Sequence, residues 1–137
     1  SLGTRELLHI HSLKVFLMST MLADVRQKFA VSTVSIDGVS VEITRTHGTG
    51  KPLIMLPGAQ GTSETFYRQI LAWGAVRDVI SINYPSGKNA ASQAEFLLKL
   101  VKSLGIENFD ILGTSYGAYL AQWIALASPA SVSRLIL

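Results

Sequence analysis

The sequence predicts an α/β domain built on a mostly parallel sheet, with helices on both faces and an amino-terminal β-hairpin. Three observations carry this expectation. From residue 52 onward, short apolar runs alternate with segments of helical periodicity, the pattern of strands joined by crossover helices. The run PLIML does not alternate with polar residues, as expected for a strand covered on both faces. Finally, Asp37-Gly38 separates two alternating runs, a strong hairpin signal. The chain has 137 residues, 48% of them apolar and 15% charged. That suits one globular domain or part of a larger one.

Residues 1–31 read as an extension of undetermined structure, and residues 32–137 as the main domain. RELLHIHSLKVFLM fits helix or strand; MLADVRQKF, with apolar positions at 22, 25 and 29, favours a helical turn or two. In VSVEITR, Val39, Val41 and Ile43 face one way and Ser40, Glu42 and Thr44 the other. The turn HGTGK leads into PLIML, and PGAQGTS leaves it. SETFYRQILAWG predicts a helix capped by Ser63, with Phe66 and Ile70 one turn apart and Glu64 placed favourably for the helix dipole. DVISINY predicts a strand stopped by Pro85-Ser86-Gly87. Ser92 reads as the cap of QAEFLLKLVKSLG, whose apolar face is Phe96, Leu97, Leu100, Val101 and Leu104, with Gly105 as its stop. FDILG is the next strand, YGAYLAQWIALA a helix broken at Ser128-Pro129, and SVSRLIL a last strand.

Composition excludes several functions. There is no cysteine, hence no disulfide framework and no thiolate chemistry. The net charge is +3 with its basic residues scattered, which argues against a nucleic-acid partner. The apolar stretch Val15 to Ala23 is too short to cross a bilayer. It faintly resembles a signal-peptide core behind Lys14, but a cytoplasmic location is the expectation. PGAQGTS lacks the Lys-Ser/Thr ending of a P-loop. No cofactor and no metal are expected.

The chemistry concentrates in DILGTSYGAYLAQ. Ser115 lies between the strand FDILG and the following helix, with Gly113 and Gly117 two residues to either side. A tight strand-to-helix turn strains its middle residue and crowds the positions beside it; the glycines remove the colliding side chains and lift the hydroxyl above the sheet. The Tyr116 N–H opens the helix without an intrahelical partner. Gly58, in the loop after PLIML, lets the chain turn so that the Ala59 N–H faces the same point. Two such amides would stabilise negative charge on a substrate oxygen.

These residues resemble the α/β-hydrolase superfamily. LIMLPGAQGTSETFYRQI is similar to its oxyanion-loop region and DILGTSYGAYLAQ to its nucleophile elbow. More narrowly, LPGAQGTSETFYRQI, INYP and SRLIL resemble the maspardin-like and bacterial hydrolase branch. The resemblance covers residues 32–137. It implies Ser115 as nucleophile, Ala59 and Tyr116 as oxyanion-hole amides, and an ester or related acyl small molecule as substrate. Pro57 departs from the histidine that many members carry there. Members that act as binding proteins rather than hydrolases imply an alternative: a non-catalytic protein-interaction role. The family order is serine, acid, histidine, and no Asp, Glu or His follows Ser115. The resemblance therefore places acid and base beyond Leu137, so that residues 32–137 would be the amino-terminal portion of the domain. A sheet ending there offers an edge for self-association. His9, His11, His47, Asp78, Asp110 and Glu64 are not expected to serve as the base or its acid. Tyr84, Phe66 and Tyr116 are candidates to line a pocket.

Overall fold

The computed structural model describes residues 3–85 and 87–137. Its elements in chain order are α1 (Thr4–Lys28), β1 (Val31–Ile36), β2 (Val39–Arg45), β3 (Pro52–Leu56), α2 (Tyr67–Trp73), β4 (Asp78–Ile82), α3 (Ala90–Ser103), β5 (Phe109–Gly113), α4 (Tyr116–Ala127) and β6 (Val132–Ile136). They build a six-stranded sheet in the order β1-β2-β4-β3-β5-β6. β4, β3, β5 and β6 are parallel, and β1 and β2 add an antiparallel edge. The predicted class and the Asp37-Gly38 hairpin are both found, the latter with Ile36 paired to Val39.

Side-chain alternation along β3 divides the core. Ile54 and Leu56 join Ile80, Ile82 and Ile111 under α3 and α4, including Leu97, Leu100, Leu120 and Ile124. Leu53 and Met55 join Val79 under α2, with Phe66 and Ile70. Two covered faces explain why PLIML does not alternate. Burying each such side chain contributes about 2 kcal/mol.

The structure corrects four readings. Residues 4–28 form one continuous helix, of which only Val25 is fully buried; Leu7, Leu8, Ile10, Leu13 and Phe16 are exposed. Periodicity was ambiguous there because little of α1 packs on the domain. Ser63 caps no helix, since α2 starts at Tyr67. Glu64 makes an ion pair with Arg26 rather than serving a helix end. The cap of α3 is Asn89, whose side chain accepts from the Ser92 N–H at 2.8 Å, so Ser92 is the capped residue. In the Pro85-Ser86-Gly87 turn, Ser86 lies outside the described residues.

Charged residues gather at the amino ends of the parallel strands. Arg45 donates twice to Asp78, at 3.1 and 2.8 Å, and the His47 N–H donates to the same carboxylate at 3.2 Å. Asp110 accepts from Arg77 at 3.0 Å and lies 3.5 Å from the Lys51 ammonium. These acids bind the hairpin and the β3 turn to the sheet. Asp78→Ala leaves Arg45 without its bidentate partner in a mostly buried setting. It is expected to cost about 3 kcal/mol in urea denaturation, and a loss under about 0.5 kcal/mol would contradict this role.

Candidate active site

Ser115 sits between β5 and α4, and its backbone is bent. Its φ is 54° and its ψ −121°, a conformation that costs a non-glycine residue on the order of 1–3 kcal/mol. The side chain is exposed and makes no capping hydrogen bond. Ordinary N-cap serines use their hydroxyl on the first turn; this one leaves it free.

Packing around the bend explains the flanking glycines. A Cβ on Gly113 would lie 2.2 Å from the Gly117 carbonyl oxygen, and one on Gly117 would lie 2.1 Å from the Leu56 oxygen. Helix α4 thus starts against the backbone at the end of β3. That closeness follows from strand order. Leu56 pairs with Gly113 across the sheet, and the Thr114 N–H donates to the Leu56 carbonyl at 3.1 Å. Chain connections leave β3 toward β4 on one side and return to β5 on the other. The two loops therefore part at a topological switch point, where α/β sheets bind ligands.

The loop after β3 is consequently beside the serine. A Cβ on Gly58 would lie 3.6 Å from the Ser115 Cβ and 3.9 Å from its Oγ. The Gly58 carbonyl accepts from the Gly61 N–H at 2.9 Å. Because the Gly58 carbonyl and the Ala59 N–H belong to one trans peptide, the N–H points away from that turn. Among the described residues, neither the Ala59 nor the Tyr116 N–H donates to a protein acceptor.

Tyr84 and Tyr116, expected to line a pocket, do lie near Ser115; Asn83, Gln93 and the contacts that join these four have no counterpart in the sequence analysis. Tyr84, two residues beyond β4, donates its hydroxyl to the Pro57 carbonyl. Asn83 accepts from the Ser63 N–H. Tyr116 donates to Gln93, which donates to the Pro85 carbonyl at 3.1 Å. The Tyr84 and Tyr116 rings meet edge to face, centroids 5.8 Å apart. Burial first, and Tyr116 second, push the Tyr84 pKa well above the ordinary 10.0, so its hydroxyl remains a donor. Phe66, expected near the site, is instead buried under the opposite face of the sheet. The only sequence signal for these contacts was the aromatic and amide content of NYP and SQAEF.

None of the three histidines hydrogen-bonds to Ser115 among the described residues. His9 and His11 are on α1 and exposed, and His47 is at the amino end of the sheet beside Asp78. Among the described residues, no group of three His, Cys, Asp or Glu is placed to hold a metal. No described helix is long and apolar enough to cross a membrane.

No family model matches the chain. Solved structures do. Cfl2 from Burkholderia cenocepacia superposes with a TM-score of 0.73 at 20% identity, over 78% of this chain and 40% of its own. ALR0039 from Nostoc sp. PCC 7120, assigned to the alpha/beta hydrolases, superposes with a TM-score of 0.68 at 20% identity, over 77% of this chain and 41% of its own. This is an α/β-hydrolase fold. Human maspardin is 38% identical over 77 residues, 54% of this chain and 24% of maspardin. The chain thus spans about a quarter of that relative's length and about two fifths of the hydrolase-fold structures. Within this fold β3 and β5 lie side by side, and the Ser115 bend joins β5 to α4.

Proposed function

We propose that Ser115 is the nucleophile of an acyl-transfer site whose general base lies outside the described residues. The supporting observation is its bend: a positive-φ serine, exposed and uncapped, against Gly58 of the neighbouring loop. In this reading the Ser115 Oγ attacks an ester or related acyl carbonyl as a base takes its proton. The Ala59 and Tyr116 amides stabilise the tetrahedral oxyanion, and water then hydrolyses the acyl-enzyme. A fluorophosphonate probe on the full-length protein tests this. Covalent label mapped to Ser115 supports it; a folded protein that takes no label defeats it.

The comparisons weigh toward a second reading, in which the hydrolase fold serves as a non-catalytic interaction scaffold. The sequence match is to maspardin, whereas the hydrolases match only as a fold. A surface feature favours it as well: Tyr119, Trp123 and Leu126 line one exposed side of α4. On this reading the full-length protein stays unlabelled and the exposed face of α4 binds a protein partner.

Gly58→Ala separates the readings further. Its Cβ meets only ordinary van der Waals contacts, so stability should change by less than about 0.5 kcal/mol. The added methyl lies beside Oγ, and labelling should slow about tenfold. Unchanged labelling would mean that this loop does not border the reacting centre.

A further inference from the structure

We propose that Tyr84 is a positioning residue for the oxyanion amide: its hydroxyl, held on the Pro57 carbonyl, fixes the loop from Pro57 to Gly61 so that the Ala59 N–H faces Ser115. This deepens the acyl-transfer reading and rests on it.

The loop carries no regular structure between β3 and α2, so its orientation depends on what grips it. Two consecutive residues past β4 do so. Asn83 takes the Ser63 N–H at the far end of the loop, and Tyr84 takes the Pro57 carbonyl at the near end. Asn83 is itself anchored, its N–H donating to the Glu42 carbonyl of β2 at 3.0 Å. Pro57 is confined from below as well, since its carbonyl lies 2.7 Å from where a Gly117 Cβ would sit. With the Pro57 carbonyl pinned and the Gly58 carbonyl closed onto the Gly61 N–H, the two peptide planes leading to Ala59 have fixed orientations. The Tyr84 ring is held in turn by the edge-to-face contact with Tyr116, which Gln93 ties to α3. One side chain thereby links the loop that supplies one amide to the elbow that supplies the other. A preorganised donor stabilises a developing oxyanion without reorganising during the reaction; a loose one does not.

The test is Tyr84→Phe in the full-length protein, which keeps the ring and removes the hydroxyl. Amide hydrogen exchange reads the loop whether or not the protein is an enzyme. Exchange at the hydrogen-bonded Gly61 and Thr62 amides should rise about tenfold, while amides of β3 and β4 keep their wild-type rates. Turnover of an activated acyl ester should show a tenfold lower kcat with unchanged KM. Unchanged loop exchange, or equal loosening of β3 and β4, overturns the proposal. So does a KM effect without a kcat effect in an active protein. Absence of any turnover or label in the wild type defeats the acyl-transfer reading instead, and the exchange data still decide the clamp. A ring-fluorinated tyrosine at position 84, a stronger donor, should slow the same loop amides; it serves if Tyr84→Phe does not fold, and no slowing there counts against the clamp.

Discussion

Ser115→Ala in the full-length protein is expected to abolish fluorophosphonate labelling and to lower acyl-ester turnover by about 10⁴-fold or more. The effect is large because an alanine has no group to form the acyl-enzyme, and the amides alone can only polarise a carbonyl for water. The fold should be untouched. The hydroxyl is exposed and caps nothing, so its removal breaks no internal hydrogen bond. The strained backbone is inherited by the alanine, and the denaturation midpoint should shift by the equivalent of less than about 0.5 kcal/mol. This pairing of a chemical loss with structural silence is what a site residue shows. Label retained on the alanine variant, or turnover within a few-fold of wild type, would remove Ser115 from the chemistry.

Gly117→Ala should have the opposite signature: a structural collapse at a residue with no chemistry. The new Cβ would lie 2.1 Å from the Leu56 carbonyl oxygen and 2.7 Å from that of Pro57. Both are backbone atoms, and Leu56 belongs to a strand hydrogen-bonded on both sides, to β4 and β5. Neither neighbour can swing away as a side-chain end would. Helix α4 must then lift off β3, opening the core around Leu56, Leu120 and Ala121. We expect a loss of about 3 kcal/mol or more in chemical denaturation, enough to remove much of a typical domain's stability. A variant within about 0.5 kcal/mol of wild type would show that the turn between β5 and α4 is looser than these contacts require. Gly58→Ala is the matched control, because it adds the same methyl on the other side of Ser115 without a clash.

Most of the strands were legible because their signals are local. Alternation in VSVEITR, the covered run PLIML and the Asp37-Gly38 turn each reflect burial or backbone preference within a few residues. The bend at Ser115 is legible for the same reason: Gly113 and Gly117 answer a crowding created by the turn itself. α1 was not legible, because its periodicity has little packing behind it and only Val25 is buried. The cap of α3 was misplaced by three residues, from Asn89 to Ser92, because both are polar residues just before an apolar run, and only the hydrogen bond tells donor from acceptor. The pattern of SETFYRQILAWG places Ser63 and Phe66 at the start of a helix; in the folded chain they belong to the loop, held by Asn83 and by the core beneath α2.

By itself, then, the sequence determined the class of the fold, the hairpin, and the serine whose neighbours must be glycine. Tertiary structure alone decided that β3 lies next to β5, that Gly58 therefore abuts Ser115, and that Tyr84 grips the loop between them. The physical reason is range. Strand neighbours are chosen by pairing between segments more than fifty residues apart, Leu56 with Gly113 among them, and no local pattern records which partner a strand will find.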